Sequence, residues 1–134
     1  MGTRRGWLTL TERPLPERTK AVLSDAWDCW IAGLFTPAIV MCRAVIDHSL
    51  TDLQERQPWI EIPNHPKLAQ LISRCPHLPR DLKGIAEWIN GLANGLLHFE
   101  KPADRPGEED TYRALRGAAR IVERLNSVTD RGTG

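Results

Sequence analysis

The sequence predicts an all-α fold, a helical bundle of about five helices that opens with an antiparallel helical hairpin. Three observations predict it. Apolar residues recur with a period near 3.6 along every long segment. Pro and Gly cut the chain into pieces of helical length. No stretch alternates apolar and polar residues as a half-buried strand would. At 134 residues the chain has the length of one domain. A chain of that size buries roughly two thirds of its unfolded surface, enough for a sizeable core.

Residues 1–16 read as an extended lead-in, because Pro14 and Pro16 discourage helix. Residues 17–126 read as a single bundle domain and residues 127–134 as a flexible tail. The first helix is expected over Glu17–Ile31. Val22, Ala26, Cys29 and Trp30 line one face of it, and Leu23 and Trp27 widen that face. Gly33 supplies its stop. Thr36-Pro37 starts the second helix, with Thr36 at the N-cap and Pro37 at the first helical position. It runs to about Leu53 on an inner stripe of Ile39, Cys42, Val45, Ile46, Ser49 and Leu53. So short a link makes the two helices an antiparallel hairpin. Pro58, Pro63 and Pro66 mark a loop that Trp59, Ile60 and Ile62 pin to the core. A short helix follows over Lys67–Arg74. Pro79 opens the next, which reaches His98, and Glu108–Leu125 is the last, with acidic residues at its N-terminus as the helix dipole prefers.

Hydrophobic residues make up 41% and charged residues 26%, which is ordinary globular usage. A net charge of +1 gives no global pull toward nucleic acid or membrane, so such a partner needs a local patch. No run approaches the roughly 18 apolar residues of a membrane span, so no membrane partner is expected. The segment after Arg4-Arg5 is too short and polar for the apolar core of an export signal. Cys29, Cys42 and Cys75 form no C-x-x-C pair, which argues against a disulfide framework and against a zinc site. Cys75 and His77 lack a second metal-capable pair, and neither metal nor cofactor is expected. These features point to a reduced, cytoplasmic protein. Most of the five Trp residues are expected to be core or loop anchors.

Plausible chemistry concentrates in the fourth long segment. Asn90, Asn94 and His98 recur every four residues there and form one polar stripe, while Ile85, Ile89, Leu92, Leu96 and Phe99 form a different face. The stripe is either a solvated face or the lining of a cleft or subunit interface, where His98 serves as general acid or base and Asn94 orients it. Gly84, Gly91 and Gly95 lie beside it. Each costs about 1 kcal/mol against Ala inside a helix, which predicts close approach of another helix from this chain or a second copy. Arg43 and Asp47 are one turn apart on the second helix. They make either an intrahelical ion pair or a site in which a partly buried Arg43 reaches toward the fourth helix. Arg113, Arg116, Arg120 and Arg124 fall within roughly 80° of arc on the last helix at 100° per residue. That row is a solvated face or a nucleic-acid-binding stripe whose mutual repulsion phosphates relieve. No Gly-rich phosphate loop, nucleophile elbow, H-E-x-x-H or paired-carboxylate signature is present, which argues against a familiar small-molecule enzyme.

The segment from Ala26 to Asp47, AWDCWIAGLFTPAIVMCRAVID, resembles the opening hairpin of domain-of-unknown-function family 4145. There a helix with a small-residue turn leads into a second helix carrying an arginine, apolar residues and an acid, matched here by Arg43 and Asp47. Asn94 and His98 match the family's later block, an Asn followed four residues on by His. The family often has Arg where this chain has Asn90, and Gly where it has Ala93. The resemblance covers about residues 20 to 126. It implies an HEPN-like helical domain, a homodimer, and a role on RNA or a partner protein in restriction, toxin–antitoxin or other defence systems. Several HEPN-type domains are metal-independent endoribonucleases with four to six residues intervening between an Arg and the His, whereas here those positions are Gly91, Leu92 and Ala93. A ribonuclease built on His98 and Asn94 would have to recruit Arg43 or an arginine of the last helix. The resemblance therefore implies an accessory RNA- or protein-binding module first, with an endoribonuclease or a purely structural dimerisation protein as rivals.

Overall fold

Each helix forms where the apolar period and a local stop signal agree. The computed structural model describes residues 15–61, 66–98 and 105–133, with side chains to residue 128. Among them are five helices and no strand: α1 (Glu17–Ile31), α2 (Phe35–Arg56), α3 (Leu68–Arg74), α4 (Arg80–Leu97) and α5 (Glu108–Thr133). Residues 1–14, Ile62 and Phe99, for which expectations are given above, lie outside the described residues.

α1 ends as its glycine requires. Gly33 has φ +77°, a conformation that costs glycine nothing and other residues about 1 kcal/mol or more. The amide of Leu34 donates to Cys29 O at 2.7 Å and that of Gly33 to Trp30 O at 3.0 Å. This Schellman pattern satisfies two terminal carbonyls. α2 begins earlier than the Thr36-Pro37 signal: Leu34 is the N-cap and no side chain caps the helix. Pro37 sits inside the first turn, where a missing N–H loses no helical bond. The loop after α2 hangs on Gln54. Its Nε2 donates to Ile60 O at 2.7 Å, and its Oε1 accepts from the amides of Trp59 at 2.9 Å and Ile60 at 3.3 Å. α5 continues past Leu125 to Thr133, through the segment expected as a tail.

α2 contacts each of the other four helices and is the centre of the bundle. Three contacts align α4 antiparallel to α5: Arg113 over Trp88, Gly117 against Ile85, and Arg120 to Asp81. Trp30 and Tyr112, with ring centroids 5.1 Å apart, hold the end of α1 to the start of α5.

The inner faces sit slightly off the expected ones. α1 buries Thr19, Leu23, Ala26 and Trp27, while Val22, Cys29 and Trp30 flank the core. α2 buries Leu50 where Ser49 was expected. α4 buries Leu82, Ala86, Ile89 and Ala93, with Ile85, Leu92 and Leu96 at its edge. Alanines at the centre let neighbouring helices approach, and larger side chains at the edges seal the seams. Of the tryptophans described, Trp27 is in the core, Trp30 and Trp59 pack against it, and Trp88 is 37% exposed.

Candidate functional site

The polar stripe of α4 splits along its length. Asn90 and Asn94 are half-buried, while His98 is exposed and is the C-cap. Asn90 lies against α2, where Arg43 Nε donates to its Oδ1 at 3.0 Å in a partly buried contact. Of the two readings of Arg43, the observed one is thus a reach to the fourth helix. Asp47 accepts instead from Thr51 Oγ1 at 3.2 Å, and no Arg43–Asp47 ion pair exists among the described residues.

This placement constrains the chemistry. Eight residues of helix separate Asn90 from His98, about 12 Å at 1.5 Å per residue. Arg43 is held at the Asn90 end, so its guanidinium and the His98 imidazole are not aimed at one phosphate. The His98 amide donates to Asn94 O at 3.1 Å, and its side chain has no hydrogen-bond partner among the described residues.

Gly84, Gly91 and Gly95 run along the outer face of α4, and all three are exposed. A Cβ added at any of them meets no atom within 4 Å among the described residues. The expectation that a helix of the same chain packs on this row is therefore corrected: the apolar stripe turns the opposite side of α4 inward. The glycine that admits a neighbour is Gly117 on α5, buried beside Ala114, Ala118 and Ala119. A Cβ there would collide with Ile85 Cγ2.

The four arginines of α5 are all exposed, and Arg113 and Arg120 lie against α4 at Trp88 and Asp81. Each has a neighbour within the chain. Arg113 Cζ sits 5.6 Å from the centroid of the Trp88 ring, and Arg116 Cζ 5.9 Å from that of Tyr112. Arg120 Nη2 is 3.8 Å from Asp81 Oδ2, and Arg124 Nε donates to His77 O at 3.1 Å. Of these contacts, that with Asp81 is the one that offsets charge. The contacts are also weak, since exposed cation–π contacts and surface ion pairs are worth about 1 kcal/mol or less each, and the guanidiniums remain open to solvent. Trp88 was not singled out from sequence as part of this face. Its position one turn after Gly84, opposite the apolar stripe, was the available signal.

The cysteines offer no nucleophile. Burial pushes the Cys42 thiol up to about 12. Burial also raises Cys75, and burial with Asp25 and Asp28 nearby raises Cys29. Such thiols stay protonated at neutral pH. The described residues hold no group of three or more His, Cys, Asp or Glu placed to share a metal ion, and no helix among them is long and apolar enough to cross a membrane.

Compared with known protein families, curated proteins and solved structures, the chain matches none.

Proposed function

We propose that this chain is a small HEPN-like accessory domain that binds single-stranded RNA on its α4–α5 face and does not cut it. One observation carries the reading. The exposed row Arg113, Arg116, Arg120 and Arg124 spans about 16 Å of helix at 1.5 Å per residue and runs alongside exposed Trp88 and open Gly84 of α4, with open Gly91 and Gly95 beyond its Arg113 end. Guanidiniums hold phosphates, an aromatic ring stacks a base, and a face without side chains lets a strand lie close. The separation of Arg43 from His98 supports binding over cleavage. The resemblance adds the setting, a defence, restriction or toxin–antitoxin system.

Fluorescence anisotropy with a labelled single-stranded RNA tests this. Neutralising four phosphates on a single strand gives a log–log salt slope of about −3. Arg116→Glu with Arg120→Glu flattens that slope, and Trp88→Ala costs about 1–3 kcal/mol if a base stacks there. Absence of any RNA shift at about 50 mM salt overturns the reading. Cleavage in EDTA that His98→Ala abolishes would establish the endoribonuclease instead.

A homodimer through the same α4 face is a second reading, favoured by the open glycine row around exposed Trp88. A second copy and RNA compete for Gly91 and Trp88. Sedimentation with and without RNA therefore separates the two.

A further inference from the structure

We infer that a groove on the other side of the bundle binds a small organic anion carrying an apolar group. The groove lies where the start of α1, the second half of α2 and α5 meet. Its first lobe is a cleft of about 160 Å³ walled by Arg18, His48, Ser49 and Arg56 over a floor of Val122 and Leu125. A second lobe of about 270 Å³ shares Arg18, Thr19 and His48 with the first and is otherwise lined by Val22, Ala44 and Val45. Arg18 and His48 border both lobes, to which the first adds Arg56 with Asp52 and the second an apolar wall. No residue of the α4–α5 face takes part, so this inference and the RNA reading stand or fall separately.

The lining suits an anionic head. Arg18 is exposed and has no hydrogen bond or ion pair among the described residues. Its planar fork of N–H donors fits a carboxylate or a phosphate monoester two bonds at a time. Arg56 is paired with Asp52 at 3.3 Å, with both side chains about half exposed. That contact leaves other Arg56 donors free. The His48 imidazole adds an N–H donor, and Ser49 adds a hydroxyl. Asp52 also lines the cleft and opposes the anion, which limits affinity and gives the test a sign. The apolar wall of the second lobe, lined by Val22, Ala44 and Val45, supplies what a bare inorganic ion cannot use.

Isothermal titration of the full chain with inorganic phosphate, phenyl phosphate and benzoate tests the inference. Phenyl phosphate or benzoate is expected to bind about ten-fold or more tighter than inorganic phosphate, and whichever is tighter identifies the head group. Arg18→Gln with Arg56→Gln should weaken the tighter ligand about ten-fold or more. Asp52→Asn should strengthen it, an outcome a merely structural role would not produce. Ala44→Phe, at an exposed position, should fill the second lobe and remove the aromatic ligand's advantage without changing phosphate binding. Circular dichroism on each variant confirms the fold. No binding of any probe at about 10 mM, equal binding of phosphate and both aromatic anions, or unchanged affinity in the double arginine variant would overturn it.

Discussion

Gly117 and Gly91 are both glycines inside long helices, and their surroundings are opposite. Gly117 is buried on α5 and leaves room for Ile85 of α4. Gly91 stands on the exposed side of α4 with nothing near it. Both carry the backbone-entropy cost of glycine. At Gly117 the packing of two antiparallel helices offsets that cost. At Gly91 nothing described within the chain does. A helical glycine thus marks a seam only when the residues around it are themselves inward, and Ala114, Ala118 and Ala119 are all buried beside Gly117.

The largest effect expected from this contrast is at the seam. Gly117→Leu should destabilise the bundle by about 3 kcal/mol through overpacking. For a chain of this size that lowers Tm by roughly 10 °C. Gly117→Ala is milder, because the clash with Ile85 Cγ2 is partly offset by about 1 kcal/mol of helix propensity. Combining Gly117→Ala with Ile85→Ala removes the colliding methyl. A double-mutant cycle should therefore show a favourable coupling of about 1 kcal/mol. Additive effects in that cycle would mean that α4 and α5 do not meet there.

That seam also shows where sequence reasoning stops. The limits of α1, its stop at Gly33 and the hairpin to α2 depend on local signals, and they are read correctly from residues a few positions apart. The reach of Arg43 to α4 was legible as one of two readings, because a charge at the edge of an apolar stripe must find a partner across the seam. The neighbours that α4 brings to the α5 arginines were not legible. Trp88 and Asp81 come to them through antiparallel packing, which no local spacing encodes. The shift of the α4 inner face toward its alanines was hidden for a related reason. A periodicity weighted by hydrophobicity favours Ile85 and Leu92, whereas close helix packing favours Ala86 and Ala93.

A smaller effect is expected at the seam between α2 and α4. The Arg43 to Asn90 bond is charge-assisted but only partly buried, so its coupling should be about 1 kcal/mol, below the range for a fully desolvated bond. Urea denaturation of Arg43→Ala, Asn90→Ala and the double variant measures it. Arg43→Lys should recover little, since an ammonium lacks the planar fork that reaches Asn90. Full recovery with Lys would mean that charge alone, not the directed bond, matters at this seam.

The smallest effect sharpens the comparison most, because its sign differs from the first. Gly91 lies mid-helix with open space around it. An Ala there adds no clash and restricts the unfolded chain. Gly91→Ala should therefore raise monomer stability by about 0.5–1 kcal/mol, where the chemically identical change at Gly117 lowers it. If a second copy packs on the glycine row, the same substitution should loosen the dimer while stabilising the monomer, a split that sedimentation and thermal melting at low concentration resolve together. If RNA lies on that face, a methyl group at Gly91 should weaken RNA binding without altering its salt slope, since no phosphate contact is lost. A Gly91→Ala protein that melts earlier at every concentration would show that Gly91 is packed like Gly117, and the contrast between the two glycines would collapse.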